Sequence, residues 1–559
     1  MPKKISLFLS KALYITFLAL LLIAFAFSIN AFVNPDFHFR QLDMNFKWIA
    51  VILLIFFLAG IYYIIKKTHE EDEKKLSYSD ILLIFLIAFC LRLIFLVFYG
   101  YFSPPFADSM WAHMAAMGWG ELHHLYDLTS SWAIFSVLLR EWYLIAIPHI
   151  IAAYFLNTIV TSVTAVFIYI LAMNISEKRS IALVAAIVFT FYPHNIFLSI
   201  FITPEHIAVL LTCIIFILLL LPHRHNGDQF RPSATLCHNE DRSLRRGHAP
   251  ARTVMRQSAT KHYILCAIIG IICAFADILK QVAPIIIIAY VITTILAYFI
   301  GKESFSGNTA DNTFKFLSKL LLSIIIISLT LSIVNFAVLR VAERTLGIQF
   351  ANPRYHMTHF IYVGLQPSGE GQVFLGDNPR QFLVFLEETG RDFELARIKT
   401  IEFLKQEIRE NPAQFAALFP QKFRWAWQDD TIATYHIWIM ASHNLVSIAH
   451  SSDDISPGLL RISREVLPSI AQIFYMSLLV FSIIGLFGAI KELKERFNYG
   501  IFFISLYCFG FFLLLLIMEA QSRYKVMIIP CLCILAAYGY HIVMPSSRGT
   551  KRRNPLGNL

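Results

Sequence analysis

The sequence predicts an all-α polytopic membrane protein with about twelve transmembrane helices and an extracytoplasmic loop domain. Hydrophobic residues make up 57% of the 559 residues and charged residues only 15%, whereas soluble domains carry about 25% charged residues. Apolar runs of about 20 residues recur along the chain, and each is long enough to cross the hydrocarbon layer of a bilayer. Composition and run length therefore favour a bundle of membrane helices over a soluble globular protein.

Twelve apolar runs are predicted to span the membrane, and this even number places both chain ends on the same side. The first run follows Met1-Pro-Lys-Lys and is longer than the core of a signal peptide, so we expect a retained span. The predicted spans are 9–32, 47–65, 81–101, 149–173, 181–200, 205–222, 262–279, 282–300, 318–340, 468–490, 499–518 and 526–544.

Loop charge predicts the orientation of these spans. Lys and Arg concentrate in cytoplasmic loops, and the basic loops 177–179, 223–262 and 491–496 fall on one side together with the tail 546–559. We therefore expect both termini in the cytoplasm, an active face outside it, and a location in the inner (plasma) membrane. These loops also account for the net charge of +10, so we expect no nucleic-acid partner.

The spans and loops divide the chain into segments of different character. The loop 223–261 is polar and basic, which predicts a flexible cytoplasmic insertion that meets anionic headgroups. The segment 341–467 combines aromatic residues and Gly/Pro/Asp turns with an amphipathic helix predicted at Asp392–Arg409, which indicates a small extracytoplasmic domain. The full division is a two-span anchor and linker at 1–80, a membrane core at 81–340, the extracytoplasmic domain at 341–467, C-terminal spans at 468–545 and a basic tail at 546–559.

Several common chemistries leave no trace in the sequence. The eight cysteines show no metal-ligand spacing with histidines, and most lie in or beside apolar runs, so we interpret them as small apolar packing residues. No Walker motif, Rossmann glycine fingerprint or HExxH motif is present. An enzyme that acts outside the cytoplasm has no access to cytosolic nucleotide sugars. A sugar donor linked to a membrane lipid would be accessible to it.

Asp108 is the leading candidate for chemistry. It follows two prolines, which end a helix, and precedes an aromatic, His-rich stretch from Trp111 to Tyr126. That stretch predicts a helix lying flat at the headgroups. A carboxylate there is suited to deprotonate a hydroxyl that arrives from the aqueous side. The alternative is that Asp108 caps a helix beginning at Ser109.

Other charged residues also stand out against the apolar background. Glu205 opens a predicted span, where an acid in the first turn is ordinary helix chemistry. Lys280 and Arg523 are cations on the side where few are expected, and such cations are suited to bind a lipid phosphate. For Lys280 the alternatives are snorkelling or an ion pair with Asp277. Arg92 lies inside a span and must face the bundle or a cavity, because a guanidinium in lipid costs at least ~2.5–3.5 kcal/mol. A structural ion pair and a functional site are equal alternatives for it.

Four motifs share the predicted outer side. They are Pro105-Phe-Ala-Asp108-Ser109-Met-Trp111-Ala-His-Met-Ala115, then Thr203-Pro204-Glu205, then Gly270-Ile-Ile-Cys-Ala-Phe-Ala276 with Lys280, and finally Glu519-Ala-Gln521-Ser-Arg523-Tyr524 with Pro530. In this order they resemble the GT-C superfamily of membrane glycosyltransferases, especially the bacterial branch of family 39. That branch includes protein O-mannosyltransferase-like and aminoarabinose-transferase-like enzymes. The pattern departs at Trp111, Lys280, Gln281 and Gln521, where the family has Tyr, Arg, Pro and Arg, and the resemblance covers roughly 80–545.

The resemblance implies a GT-C-like bundle and an inverting transfer of a sugar from a polyprenyl-phosphate donor to an acceptor hydroxyl. The acceptor is a glycan, a lipid or a protein. The resemblance implies that Asp108 is the general base, and that Lys280 and Arg523 bind the donor phosphate. Glu205 would position the acceptor or hold a divalent cation, with no other cofactor implied. The aromatic residues expected to contact the sugar are Trp111, Tyr126 and Tyr524.

Two other functions stay open at this stage. A polytopic transporter of a small or lipid-linked substrate would use Asp108 or Glu205 as a proton-coupling group. Transporters typically show internal repeats and sites near the midplane, whereas the unusual charges here lie at one face. A ligase or polymerase of lipid-linked oligosaccharides would share the donor chemistry but differ in acceptor and product.

Overall fold

The computed structural model describes most of the helical part of the chain. Among the residues it describes, the secondary structure is helical and contains no strand. Nine of the described helices are long and apolar enough to cross a membrane, which confirms an all-α multi-pass membrane protein. The described residues are 3–33, 47–68, 76–99, 108–118, 130–224, 251–301, 309–346, 353–366, 379–431, 434, 465–493 and 495–543.

The helices agree closely with the predicted spans. Those of the first half are α1 (Lys3–Val33), α2 (Lys47–Thr68), α3 (Tyr78–Tyr99), α4 (Asp108–Ala116), α5 (Ser130–Ile145), α6 (Ile150–Ser176), α7 (Arg179–Phe191), α8 (Pro193–Phe197), α9 (Glu205–Arg224) and α10 (Ala251–Leu279). Those of the second half are α11 (Ala283–Gly301), α12 (Thr309–Leu346), α13 (Pro353–Gly364), α14 (Pro379–Glu388), α15 (Phe393–Glu410), α16 (Pro412–Trp427), α17 (Leu467–Glu492), α18 (Tyr499–Ile517) and α19 (Ile529–Val543).

Three of the predicted spans take other forms. The run predicted at 181–200 is a broken element in which α7 and the Pro193–Ile200 helix meet at 53°. The runs predicted at 205–222 and 526–544 are the shorter apolar helices Glu205–Leu221 and Ile529–Val543. The total of twelve spans therefore stays a prediction.

The break between α7 and α8 follows from Pro193. Proline has no backbone N–H and disfavours helical geometry in the preceding residue, and Tyr192 accordingly has φ −65° and ψ 112°. The Thr190 carbonyl near the break accepts a hydrogen bond from Arg92 Nη1 at 3.4 Å, and Ala88 O accepts another at 3.1 Å. Arg92 is fully buried, so it faces the bundle interior as the sequence predicts.

Close helix crossings hold the bundle together. α19 packs tightly on α17, and a Cβ added at Gly539 would collide with the Phe481 carbonyl oxygen. α10 packs on α12 in the same way, since a Cβ at Gly270 would lie 2.8 Å from the carbonyl oxygen of Ile327. Only glycine permits such backbone approach. Gly270 belongs to one of the four motifs, and its role in the structure is to let α10 pack closely against α12.

The segment 341–467 contains helices α13 to α16 and a small core of its own. Tyr362, Val363, Leu386 and Ala396 form that core. The amphipathic helix predicted at Asp392–Arg409 is confirmed as α15. The Asp392 carboxylate caps this helix by accepting from the N–H groups of its first turn. α16 packs against α1 and α18, so this segment is attached to the bundle.

Two regions differ from the sequence-based expectation. α5 was not predicted, although Phe135, Leu139 and Tyr143 recur every four residues and are buried, while Arg140 and Glu141 are exposed. That spacing is typical of an amphipathic helix. The predicted flexible loop 223–261 ends in helix from 251 onward, and its residues 225–250 lie outside the described part.

Candidate functional site

Four residues predicted to form the site meet at one end of the bundle. Glu205 is the first residue of α9, Lys280 follows α10, and Arg523 and Tyr524 lie in the 3-10 helix Ser522–Met527 before α19. Lys280 Nζ lies 2.8 Å from Glu205 Oε1 and 4.3 Å from the centroid of the Tyr524 ring. A single lysine side chain therefore joins three segments that are far apart in sequence.

Two cations contact the Tyr524 ring. The guanidinium carbon of Arg523 is 5.3 Å from the ring centroid, in addition to the ammonium of Lys280. The Tyr524 hydroxyl donates to Glu519 Oε2 at 2.9 Å, and Gln521 donates to the same carboxylate. Burial, reinforced by Glu519, raises the pKa of Tyr524 well above 10, so the phenol stays protonated and keeps donating. The ring is thus a fixed aromatic surface with positive charge beside it.

A cavity of about 190 Å³ adjoins this cluster. Its polar wall includes Asp277, Lys280, Glu519 and Tyr524, while α12, α13 and α18 supply apolar side chains. A wall of this kind suits a ligand with a charged head and an apolar chain. The apolar lining residues that matter most here are Leu339, Phe360, Phe511 and Leu514.

Asp277 shapes the turn that carries Lys280. Its Oδ1 accepts from the backbone N–H of Ala283, the first residue of α11, at 3.1 Å. The backbone N–H of Lys280 continues the preceding helix by donating to Ala276 O at 2.8 Å. Asp277 therefore caps the next helix, and the acid that pairs with Lys280 is Glu205 rather than Asp277.

A second cluster is fully buried and adjoins the first through Lys525, which directly follows Tyr524 in the sequence. Lys525 Nζ is 3.3 Å from Asp430 Oδ1, and both side chains have no exposed surface. The same carboxylate lies 3.2 Å from His194 Nδ1 and accepts from the Tyr192 hydroxyl. The Asp430 N–H donates to Gln472 Oε1 at 3.1 Å. We call this cluster of Asp430, Lys525, His194, Tyr192 and Gln472 the buried anchor.

Sequence reasoning missed the centre of the buried anchor. Asp430 lies in a loop that the sequence assigned to the segment 341–467, with no partner in view. A signal was present, because Asp429 and Asp430 are adjacent acids directly after the aromatic end of α16. Acids so close to an apolar helix require partners when they are buried. Naming Lys525 and His194 as those partners required the fold.

The predicted general base lies in α4. Asp108 is the first residue of that helix, one residue earlier than the helix start in the capping alternative. Its side chain and that of Trp111 lie outside what the structure describes, as does the whole of Tyr126. His113 of α4 contacts the Tyr143 hydroxyl of α5 at 2.7 Å, and the first turn of α5 lines the cavity through Ser131. α5 therefore contacts α4 near its C-terminal end and the cavity at its N-terminal end.

No cluster suited to a metal ion is found within the described ranges. In that part of the chain, no group of three or more His, Cys, Asp or Glu side chains is placed to hold one. The Glu205 carboxylate, which the resemblance allows as a cation ligand, is in contact with the Lys280 ammonium instead. A role for a divalent cation stays a prediction.

Comparison with known proteins does not identify a family for this chain, so the GT-C relationship stays a resemblance. No family model, no curated protein and no solved structure matches the chain. The functional argument therefore rests on the motifs of the sequence and on the cluster of Glu205, Lys280, Arg523 and Tyr524 beside its cavity.

Proposed function

We propose that the protein is an inverting membrane glycosyltransferase that moves a sugar from a polyprenyl-phosphate donor to an acceptor hydroxyl. The observation that carries this proposal is the pair of cations, Lys280 and Arg523, on the Tyr524 ring beside a cavity with apolar walls. Each part of such a donor has a matching surface here. Cations suit the phosphate, an aromatic face suits the sugar, and apolar side chains suit the prenyl chain.

The proposed reaction is a single displacement. The acceptor oxygen bonds to the anomeric carbon as the bond from that carbon to the phosphate oxygen breaks. The hydroxyl proton passes to Asp108, and polyprenyl phosphate leaves with the bonding electrons. Lys280 and Arg523 stabilise the charge that develops on the leaving phosphate, because fixed cations in a poorly hydrated site need little reorganisation.

Glu205 has a distinct part in this proposal. In the free protein its carboxylate holds Lys280 at 2.8 Å. An incoming phosphate must therefore share Lys280 with Glu205. In this arrangement Glu205 orients Lys280 before the donor arrives and then positions the acceptor.

The donor-binding part of the proposal can be tested by removing each cation. Arg523→Ala and Lys280→Gln should each cost ~1.5–3 kcal/mol of donor binding, the range for a hydrogen bond to a charged group. The measurement is transfer from a polyprenyl-phosphate sugar by purified protein in lipid nanodiscs. Arg397→Ala is the matched control, because Arg397 pairs with Glu394 of α15 and does not line the cavity. If transfer by both variants depends on donor concentration as it does in the wild type, Lys280 and Arg523 are not part of the donor site.

We also propose that the site faces the extracytoplasmic side of the inner (plasma) membrane, with both termini in the cytoplasm. The proposal rests on the basic loops of the sequence. A membrane-impermeant maleimide should label a cysteine placed at exposed Lys399 in intact cells and should miss Cys237 of the basic loop. The reverse pattern would invert the topology and place the site in the cytoplasm.

A transporter is the second candidate, and one observation favours it. The element formed by α7 and α8 is broken at Pro193, and the buried anchor with Asp430 and Lys525 lies at this break. Broken helices beside buried charges are typical of transporter sites. Proteoliposomes discriminate the two functions. A transporter would move a substrate across the bilayer without forming a glycosidic bond, whereas the proposed enzyme would form that bond in nanodiscs that enclose no compartment.

A further inference from the structure

We propose that Lys422, Asp430 and Lys525 are positioning residues that fix the turn 518–525, and with it Arg523 and Tyr524. This inference rests on the proposed function, since it concerns how the donor site is held in shape. Lys422, Asp430 and Lys525 do not line the cavity in the part of the chain that is described. They would act through the turn rather than through the ligand.

The first attachment lies at the start of the turn. Lys422 of α16 is fully buried, and its Nζ donates to Met518 O and Gly364 O at 2.6 Å each. Glu519, which follows Met518, donates its backbone N–H to Phe360 O at 3.1 Å. The end of α18 is thus tied to α13 and α16 of the segment 341–467.

The second attachment lies at the end of the turn. The ammonium of Lys525 contacts Asp430 Oδ1 at 3.3 Å, donates to Asp429 O, and lies 4.1 Å from the centroid of the Tyr475 ring. The remaining contacts of the buried anchor fix Asp430 on α8 and α17. Arg523 and Tyr524 directly precede Lys525, so their positions depend on this contact.

The energetic character of the second attachment, the Asp430–Lys525 ion pair, supports a positioning role. Removing two charges from water is expensive, and a buried ion pair often contributes no more stability than apolar side chains of similar size. One attested use of buried polar groups is to specify a single arrangement. Two fully buried lysines hold the turn: Lys422 contacts its start at Met518, and Lys525 forms its end. Arg523, which is proposed to bind the phosphate, lies between these two attachments. A displaced turn would move Arg523 off the phosphate, and misplacement of about 1 Å can cost ~100-fold in rate.

The test removes both charges of the buried pair together. In Asp430→Asn/Lys525→Met neither member of the ion pair is left charged without its partner, so the variant is expected to fold. We expect its KM for a polyprenyl-phosphate sugar to rise at least about tenfold, a fraction of the effect of such misplacement. Amide hydrogen exchange over residues 518–527 should become faster in nanodiscs. The matched control is Asp80→Asn/Arg179→Met, which removes an ion pair of 2.7 Å at the other end of the bundle.

The outcomes separate this inference from the proposed function. Unchanged KM and exchange in the Asp430→Asn/Lys525→Met variant, or equal changes in the control, would overturn the positioning role. Faster exchange limited to 518–527, with no transfer by wild type from any polyprenyl-phosphate sugar, would keep the anchor and reject the glycosyltransferase. If the double variant does not fold, Lys422→Met is measured in the same way. It must then raise KM and loosen 518–527 for the inference to stand.

Discussion

The two ends of the bundle each carry an acid paired with a base, but the pairs differ in geometry. At one end, Arg179 donates to both oxygens of Asp80 at 2.7 and 2.8 Å, and the Tyr169 hydroxyl adds a third bond at 2.9 Å. At the other end, Lys280 makes one ionic contact of 2.8 Å with Glu205. A quarter of the Lys280 side chain is exposed, and it lines a cavity.

The comparison shows how one charge pattern can serve two purposes. A planar guanidinium bound to both oxygens of a carboxylate is a closed unit, with donors and acceptors matched in direction. A lysine ammonium is a compact point charge that can turn toward a second anion. The Asp80 pair therefore fastens α3 to α6 and α7, whereas the Glu205 pair can be shared with a ligand. The neighbouring Arg523 and the cavity strengthen that difference.

The largest expected effect tests whether only the Glu205 end performs chemistry. Asp108→Asn keeps the shape and the capping ability of the side chain but removes its capacity to accept a proton. Transfer should fall ~100-fold or more, the scale of general base catalysis, with normal folded yield. The measurement is turnover of a polyprenyl-phosphate sugar per folded molecule.

Asp80→Asn is the matched control for this prediction, since it makes the same substitution at the opposite end. It weakens the contact with Arg179. We expect lower thermal stability and normal turnover per folded molecule. Equal loss of turnover in both variants would show that the two ends do not differ in the way proposed, and normal turnover in Asp108→Asn would defeat the base assignment.

Much of this comparison could be anticipated from the sequence. Lys280 and Arg523 were selected because they are cations on the predicted outer side, where few Lys and Arg residues are expected. The structure brings both to the same aromatic ring. Apolar run length predicted the long helices, because a span needs a fixed number of residues. The broken span at Pro193 was not predicted, because run length and hydropathy do not register a bend, although the proline inside the run indicates one.

The partners of buried charges could not be derived in this way. Asp430 contacts His194 and Lys525, which lie far from it along the chain on two other elements. Which acid meets which base depends on helix packing, and no local pattern encodes it. For the same reason, Asp277 was a reasonable partner for Lys280 by sequence distance, yet Glu205 takes that position in the fold.

A smaller effect should distinguish a shared ion pair from a closed one. Glu205→Gln removes the carboxylate that competes with a phosphate for Lys280. We expect polyprenyl phosphate, the proposed product, to bind about fivefold more tightly, which corresponds to about 1 kcal/mol for a partly exposed pair. Transfer should not increase, because tighter binding of the product slows its release. Binding is measured by titrating polyprenyl phosphate into nanodiscs that hold the variant. Unchanged or weaker binding would mean that Lys280 is committed to Glu205, as Arg179 is to Asp80.

The smallest expected effect concerns Lys422, whose Nζ donates to the backbone carbonyls of Gly364 and Met518. Burial lowers the pKa of Lys422 to about 7, although the charge of Glu519 opposes the shift; an unfolded lysine has a pKa of about 10.4. A neutral amine has two N–H donors, which the carbonyls of Gly364 and Met518 satisfy.

The sign of the pH effect follows from that lowered pKa. Between pH 7 and about pH 10 the unfolded chain binds more protons than the folded one, so the free energy of unfolding rises with pH. Below about pH 7 both states hold the proton and the contribution to the slope is lost. We expect the Tm of wild type to exceed that of Lys422→Met by about 1–3 °C more at pH 9 than at pH 6.5. Lys399→Met is the control for the loss of a lysine, because Lys399 is exposed on the neighbouring helix α15. Parallel Tm curves for wild type and Lys422→Met would show that Lys422 keeps its proton, and the first attachment of the turn would then be a charged one.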